Sequence, residues 1–271
     1  PLFNDAPSGG SSVVTTDEGN IPGKGSQHET PATQPFGAAT DGSFKMELHG
    51  ADATVTIGGT ELKVENGKLY HNGVEVTADA AVSVPGGAHG TLTVTGMDAG
   101  GTVHYTYTLT TPVDATGNAS NRPGEGDAGR GEAVHADAFD VTITTTGGTA
   151  TGQITVDALD DAPVLSTLDT TQTTVADGEA ALTGTLSFTP GADAEGAQVT
   201  VEVEGQTFTG TKGENGWMFT GGSDGSSFQL NGTAFTYTRP SSNTTDGRND
   251  TITLKVTVTD GDGDTAEQSV T

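Results

Sequence analysis

Asp260-Gly261-Asp262-Gly263-Asp264 is the stretch of this sequence best equipped for chemistry. Three carboxylates stand at alternate positions, and the glycines between them let the backbone curl so that the side chains converge. Carboxylates held that close repel: two unit charges 4 Å apart cost about 1 kcal/mol in bulk water and more near a protein surface. A divalent cation removes that cost. An acidic, all-oxygen donor set selects calcium over softer metals. The spacing matches the opening of an EF-hand loop, but Thr265 stands where that loop needs Gly and Thr271 where it needs Glu. Strand-like runs flank the turn, so calcium is expected here without an EF-hand. The ligands that complete the site are expected from a linker downstream of this segment. The competing reading is a solvated acidic turn.

Further oxygen donors sit where the chain repeats itself. Asn4-Asp5-Ala6-Pro7 recurs as Asp160-Asp161-Ala162-Pro163. Asp17-Glu18 opens the first part of the chain, and Asp177, Glu179 and Asp193 lie early in the second. A cation bridging two domains draws ligands from both sides of the join, and Asn4, Asp5, Glu18, Asp160, Asp161 and Asp193 are the candidates. Taken singly, each also fits a solvated linker.

The elements that must position these acids read as β throughout. Val-Thr alternation recurs at 54–57, 91–95, 141–144, 199–203 and 252–259, and a period of two marks half-buried strands. Gly58-Gly59, Asn66-Gly67, Asn72-Gly73, Gly147-Gly148 and Asn231-Gly232 separate the runs; Asn-Gly between alternating runs signals a hairpin. His104–Leu109 and Ala234–Thr238 look like matching strands. Phe139–Thr144 followed by Thr149–Val156 aligns with Leu254–Thr259 followed by Thr265–Val270, with one deletion in the turn. The chain is therefore expected to be all-β, two tandem immunoglobulin-like sandwiches, spanning 1–160 and 161–271. The first is larger, and its surplus lies in a Gly/Ser/Pro-rich opening at 8–40 and a loop from Pro112 to Asp137. Loops of that length are usually functional or mobile. The chain starts inside the repeated motif, without Met, so it is expected to be part of something longer.

Composition excludes several function classes. The formal net charge is −26, from 10 basic and 36 acidic residues. So few cations cannot neutralise a phosphate backbone, so no nucleic-acid partner is expected. The same sign argues against anionic membrane surfaces, and no apolar run approaches the roughly 20 residues that span a bilayer. Cys is absent, which removes disulfides and thiolate ligands and leaves metal ions as the staple available outside the cell. Gly supplies 41 of 271 residues, about twice its ordinary share.

Other motifs carry less. Gly124-Glu125-Gly126-Asp127-Ala128-Gly129 matches the dinucleotide pattern only in letters, because no strand-to-helix context surrounds it. His28, His49, His71, His89, His104 and His135 form no short-spaced zinc pair. Trp217, the only Trp, is read as core packing ahead of a sugar platform. No nucleophile–base set stands out, so no enzyme activity is expected.

The pairing of the Asp260–Thr265 turn with the Asp160-Asp161-Ala162-Pro163 join resembles the tandem immunoglobulin-like and VCBS-type repeats of large bacterial RTX adhesins exported by type I secretion. Asp17-Glu18, Gly90–Val94, Tyr105–Leu109 and Val256–Thr259 take part in the resemblance, which covers most of both units. It implies a secreted, cell-surface extender or biofilm adhesion module stiffened by Ca²⁺, with neighbouring repeats of the same chain as its partners. The alternative is a ligand-binding adhesin domain that meets a host or biofilm carbohydrate or protein through the long loops of the first unit. One departure stands out: unit one carries Thr145-Thr146-Gly147-Gly148-Thr149 where the family has its acidic turn. The Gly-rich nonapeptide repeats of RTX secretion tails do not occur in this sequence.

Overall fold

The computed structural model describes residues 6–25, 37–113, 132–171, 174–175, 181–239 and 250–271. Backbone packing gathers 6–23, 37–113 and 132–160 into unit 1, and 161–171, 174–175, 181–239 and 250–271 into unit 2. Each unit has its own apolar core. Val55, Leu62, Leu92, Tyr107, Phe139 and Ile154 belong to the first; Val199, Phe208, Phe235 and Val256 belong to the second.

Unit 1 contains β1 (Ser8–Gly9), β2 (Ser12–Asp17), β3 (Ala39–Glu47), β4 (Ala53–Ile57), β5 (Thr60–Glu65) and β6 (Lys68–His71). It continues with β7 (Val74–Glu75), β8 (Val82–Val84), β9 (Gly90–Met97), β10 (Thr102–Leu109), β11 (Glu132–Thr145) and β12 (Gly148–Leu159). Unit 2 contains β13 (Val164–Thr170), β14 (Thr174–Val175), β15 (Ala181–Thr189), β16 (Gln198–Val203), β17 (Gln206–Gly213) and β18 (Gly216–Gly221). It ends with β19 (Ser227–Asn231), β20 (Ala234–Thr238), β21 (Asp250–Thr251), β22 (Leu254–Thr259) and β23 (Thr265–Val270).

Strand order identifies the fold. Unit 2 pairs β13-β15-β20-β19 in one sheet and β18-β17-β16-β22-β23 in the other. Lettered along the chain, these are A-B-E-D and C″-C′-C-F-G, the variable-type immunoglobulin arrangement. Unit 1 repeats it, with β1-β3-β10-β9 facing β12-β11-β4-β5-β6. It adds β8 and β7 at two sheet edges and β2 paired parallel to β12. The chain is all-β, two tandem immunoglobulin-like sandwiches.

The sequence dictates these strands through its alternation. In β10, Val103, Tyr105, Tyr107 and Leu109 are buried while His104 and Thr108 are exposed. β10 and β20, the pair matched by sequence, occupy the same E position. Asn66-Gly67 and Asn72-Gly73 take positive φ at both residues, +50° and +76°, then +50° and +81°. That is the primed turn whose twist suits a tight hairpin.

The described parts of the unit 1 surplus include strands that its composition does not predict. The opening at 8–40 holds β1, β2 and a short 3-10 helix at Glu18–Asn20, and β11 starts inside the expected loop, at Glu132. Small polar residues hid these strands, because β2 gains its hydrogen bonds from β12, far along the chain. Residues 114–131 lie outside the described residues.

Two carboxylate-centred hydrogen-bond knots were not legible in the sequence. Glu204 sits at φ +50° between β16 and β17, an unfavourable conformation for a residue with a Cβ. Arg239, 5% exposed, holds it through Nε at 3.1 and 3.0 Å and again through a terminal nitrogen, while the Tyr237 hydroxyl donates at 2.9 Å. In unit 1, Asp137 is 5% exposed. It accepts from the backbone N–H groups of Ala88 (2.7 Å), His89 (3.1 Å) and Gly90 (3.1 Å) and from the Tyr107 hydroxyl. A register shift in β11 between Ala133 and Asp137 precedes this carboxylate. Burial, then Asp137, pushes the Tyr107 phenol pKa well above its ordinary value.

Tyr107→Phe should cost unit 1 roughly 1–2 kcal/mol, and Asp137→Ala about 3 kcal/mol or more, because the buried Tyr107 hydroxyl and three part-buried backbone N–H groups lose their acceptor. Urea unfolding followed by circular dichroism reads both units, and Trp217 fluorescence reads unit 2. The expected result is a shifted unit 1 transition with the Trp217 transition unmoved. Wild-type stability in both variants would refute the role of the Tyr107–Asp137 contacts.

Candidate metal centre

The turn between β22 and β23 brings three of the expected ligands together. One carboxylate oxygen each from Asp260, Asp262 and Asp264 lies within 4.8 Å of the others. The strands fix this geometry: Thr259 pairs with Thr265 across the hairpin, so residues 260–264 must form a tight loop. The Asp260 N–H donates to the Asp264 carbonyl at 3.1 Å. Asp260 Oδ1 accepts from the Gly263 and Asp264 N–H groups at 3.0 and 2.7 Å. Gly263 supplies the φ of +112° that the loop requires.

The second oxygen of Asp260 is the telling atom. Asp260 is 4% exposed, and its Oδ2 is buried with no hydrogen-bond partner, as is Asp262 Oδ1. Burial, then the neighbouring Asp262 carboxyl, pushes the Asp260 pKa up from 3.8 to about 9. A buried acceptor left unmade costs about 1–3 kcal/mol, and more when charged. An oxygen-seeking cation satisfies both orphaned atoms and cancels the repulsion. These residues therefore fit calcium.

One expectation about this turn is corrected. Thr259 pairs with Gln198 and Val164 with Thr189. The turn thus lies at the end of unit 2 where residues 161–164 enter, whereas Val270 pairs with Leu254 at the far end. In this topology the F–G turn returns to the pole where strand A begins, so the neighbours of the turn come from earlier in unit 2. The Gly261 N–H donates to the Asp193 carbonyl at 2.7 Å.

The remaining candidates are distributed as follows. Asp161 is fully buried, and its Oδ2 accepts from the Ala192 N–H at 2.9 Å. Asp193 is half-buried on the segment between β15 and β16. In unit 1, Asp17 and Glu18 are fully buried and Asp160 is 2% exposed. Asp17 caps the 3-10 turn by accepting from the Gly19 N–H at 2.9 Å, Glu18 accepts from the Val113 N–H, and a Glu18 oxygen lies within 4.8 Å of an Asp160 oxygen. Asn4 and Asp5, like Asp177 and Glu179, lie outside the described residues.

The equivalent turn of unit 1 has no acid. Thr145 pairs directly with Gly148, and the Thr145 hydroxyl accepts from the Gly147 N–H at 3.0 Å. Trp217 packs edge-on against Phe188 with ring centres 5.1 Å apart, the core role read from sequence. The glycine run at 124–129 falls outside the described residues.

No protein-family model matches the chain, and no curated protein matches it. Among solved structures it is similar to the titin Ig tandem domains A164-A165, at 11% identity over 97% of this chain and 94% of that one, with a TM-score of 0.26. It is also similar to domains 3 and 4 of rat CD4, at 8% identity over 96% and 99% with a TM-score of 0.26, and to bovine butyrophilin, at 10% identity over 98% and 97% with a TM-score of 0.27.

Proposed function

We propose that this chain is a calcium-stiffened extender of a large, secreted bacterial cell-surface adhesin. The observation that carries the reading is the buried, unpartnered Oδ2 of Asp260 beside the Asp262 and Asp264 carboxylates. Asp260, Asp262 and Asp264 would hold one ion. Asp160 and Asp161 begin the four residues that separate β12 from β13. Cations taken up by the acids of this segment would limit its bending. The partners are then neighbouring repeats, and the role is mechanical, not catalytic. The adhesin assignment itself is supported by the resemblance of the acidic turn and the Asp-Asp-Ala-Pro join.

A cleft of about 290 Å³ in unit 1 favours a second reading, a ligand-binding adhesin domain. Met46, Val64 and Met97 on strands and Leu48, Gly50 and Gly100 on turns line it, so it is formed by strand ends and short turns and not by the long loops. Binding of this chain to a glycan array, lost on Met97→Glu, would support that reading; no binding would remove it.

Extracellular calcium modules bind at about 10⁻⁴–10⁻³ M. At one hundred times Kd, calcium stabilises a domain by about 2.7 kcal/mol, or roughly 10 °C at this size. The Trp217-monitored melt should rise by that order between chelator and saturating calcium, and Asp262→Ala should remove the rise. Small-angle scattering should give a longer maximum dimension in calcium at unchanged circular dichroism. An identical melt in both conditions would overturn calcium binding; an identical maximum dimension would overturn stiffening.

The pH dependence has a defined sign. A carboxyl whose pKa rises from 3.8 unfolded to about 9 folded lends stability that is complete below 3.8 and is lost as pH climbs toward about 9. In chelator, the melting temperature of unit 2 should therefore fall between about pH 5 and about pH 8. Calcium, which favours the ionised form, should flatten that fall. A chelator profile that rises with pH would contradict the burial of Asp260.

A further inference from the structure

Gly261 brings the acidic turn against another part of unit 2. Gly261 donates its N–H to the Asp193 carbonyl at 2.7 Å. A Cβ at Gly261 would stand 2.2 Å from the Glu195 carbonyl oxygen and 2.9 Å from that of Asp193. The turn therefore lies directly on the backbone of residues 190–197, which connect β15 to β16. Gly261 is not among the positive-φ residues, so what demands glycine here is this close approach and not the turn's own conformation.

The 190–197 segment is held in part by backbone hydrogen bonds. Its local hydrogen bonds, Gly191 N–H to the Thr189 hydroxyl and Ala197 N–H to the Ala194 carbonyl, are both long at 3.4 Å. Its shorter anchors are the Asp193 carbonyl, held by Gly261, and the Ala192 N–H, which donates to Asp161 Oδ2 at 2.9 Å. Segments with sparse backbone bonding open locally at low free-energy cost. Without a cation, the carboxylates clustered within 4.8 Å push the turn open. Opening withdraws Gly261 from Asp193 and so removes one of the segment's short anchors.

We propose that cation occupancy of the Asp260–Asp264 turn controls the order of residues 190–197, making the turn a clamp on the loop that grips Asp161, with Gly261 as its positioning residue. This rests on the calcium reading of the turn. Its consequence is that an ion at residues 260–264 bears on the Asp161 carboxylate through residues 190–197.

Amide hydrogen exchange on the whole chain, in calcium chloride and in chelator, tests the clamp. Calcium should slow exchange at Ala192 and Gly261 at least tenfold and leave His89 and Gly90 of unit 1 unchanged. Asp262→Ala should abolish the effect. Gly261→Ala keeps all three carboxylates in the sequence but sets a Cβ against the Glu195 and Asp193 carbonyls, and it should lose the protection at Ala192. If wild type binds no calcium, the calcium reading and the clamp both fall. If binding is lost in Asp262→Ala but Ala192 in wild type exchanges equally in both conditions, the clamp alone falls. Full protection of Ala192 in Gly261→Ala would also overturn it.

Discussion

A carboxylate buried with one oxygen unsatisfied governs the acidic end of unit 2. Its meaning emerges by comparison with Asp137 in unit 1. The two are equally buried, Asp260 at 4% and Asp137 at 5% exposure. Asp137 has both oxygens engaged by three backbone N–H groups and a tyrosine hydroxyl, so each of its oxygens has a donor. Asp260 has two N–H donors on one oxygen, a bare second oxygen and two further carboxylates beside it. Burying an anion is tolerable when its hydrogen bonds are made or a counter-charge is present. Asp137 meets the first condition. Asp260 needs the second.

The two units share a strand order but spend their F–G turns differently. In unit 2 the turn is lengthened to hold acids and leans on the B–C segment through Gly261. In unit 1 it shrinks to Thr146-Gly147, with a threonine hydroxyl satisfying the backbone. The acids of unit 1, Asp17, Glu18 and Asp160, gather where β2 and β12 end together, since Asp17 pairs with Leu159. The same topology therefore presents acids at the ending pole of one unit and at the starting pole of the next, in chain order.

Alternation and turn chemistry made most of the fold legible. β10 and β20 were visible as matching strands because each buries every second residue, and Asn-Gly marked the hairpins. β2 was hidden because Ser12–Asp17 is unremarkable until β12, more than a hundred residues later, supplies its partner. The Asp260–Asp264 cluster was legible because its acids are close together in sequence. Its placement was not, because which pole a turn occupies depends on the direction of every preceding strand. Asp137 and Glu204 could not be singled out, since their partners are scattered and an isolated acid in an acidic chain carries no signal. A Glu preceding Gly at a hairpin position, as in Glu204-Gly205, was the one available hint.

The central claim, that Asp260, Asp262 and Asp264 hold a calcium ion, is tested most directly by crystals grown in millimolar calcium and measured at a long X-ray wavelength. The account requires an anomalous peak at this turn, with carboxylate oxygens of all three residues about 2.3–2.6 Å from it. A turn with clear side-chain density and water alone between these carboxylates would contradict it.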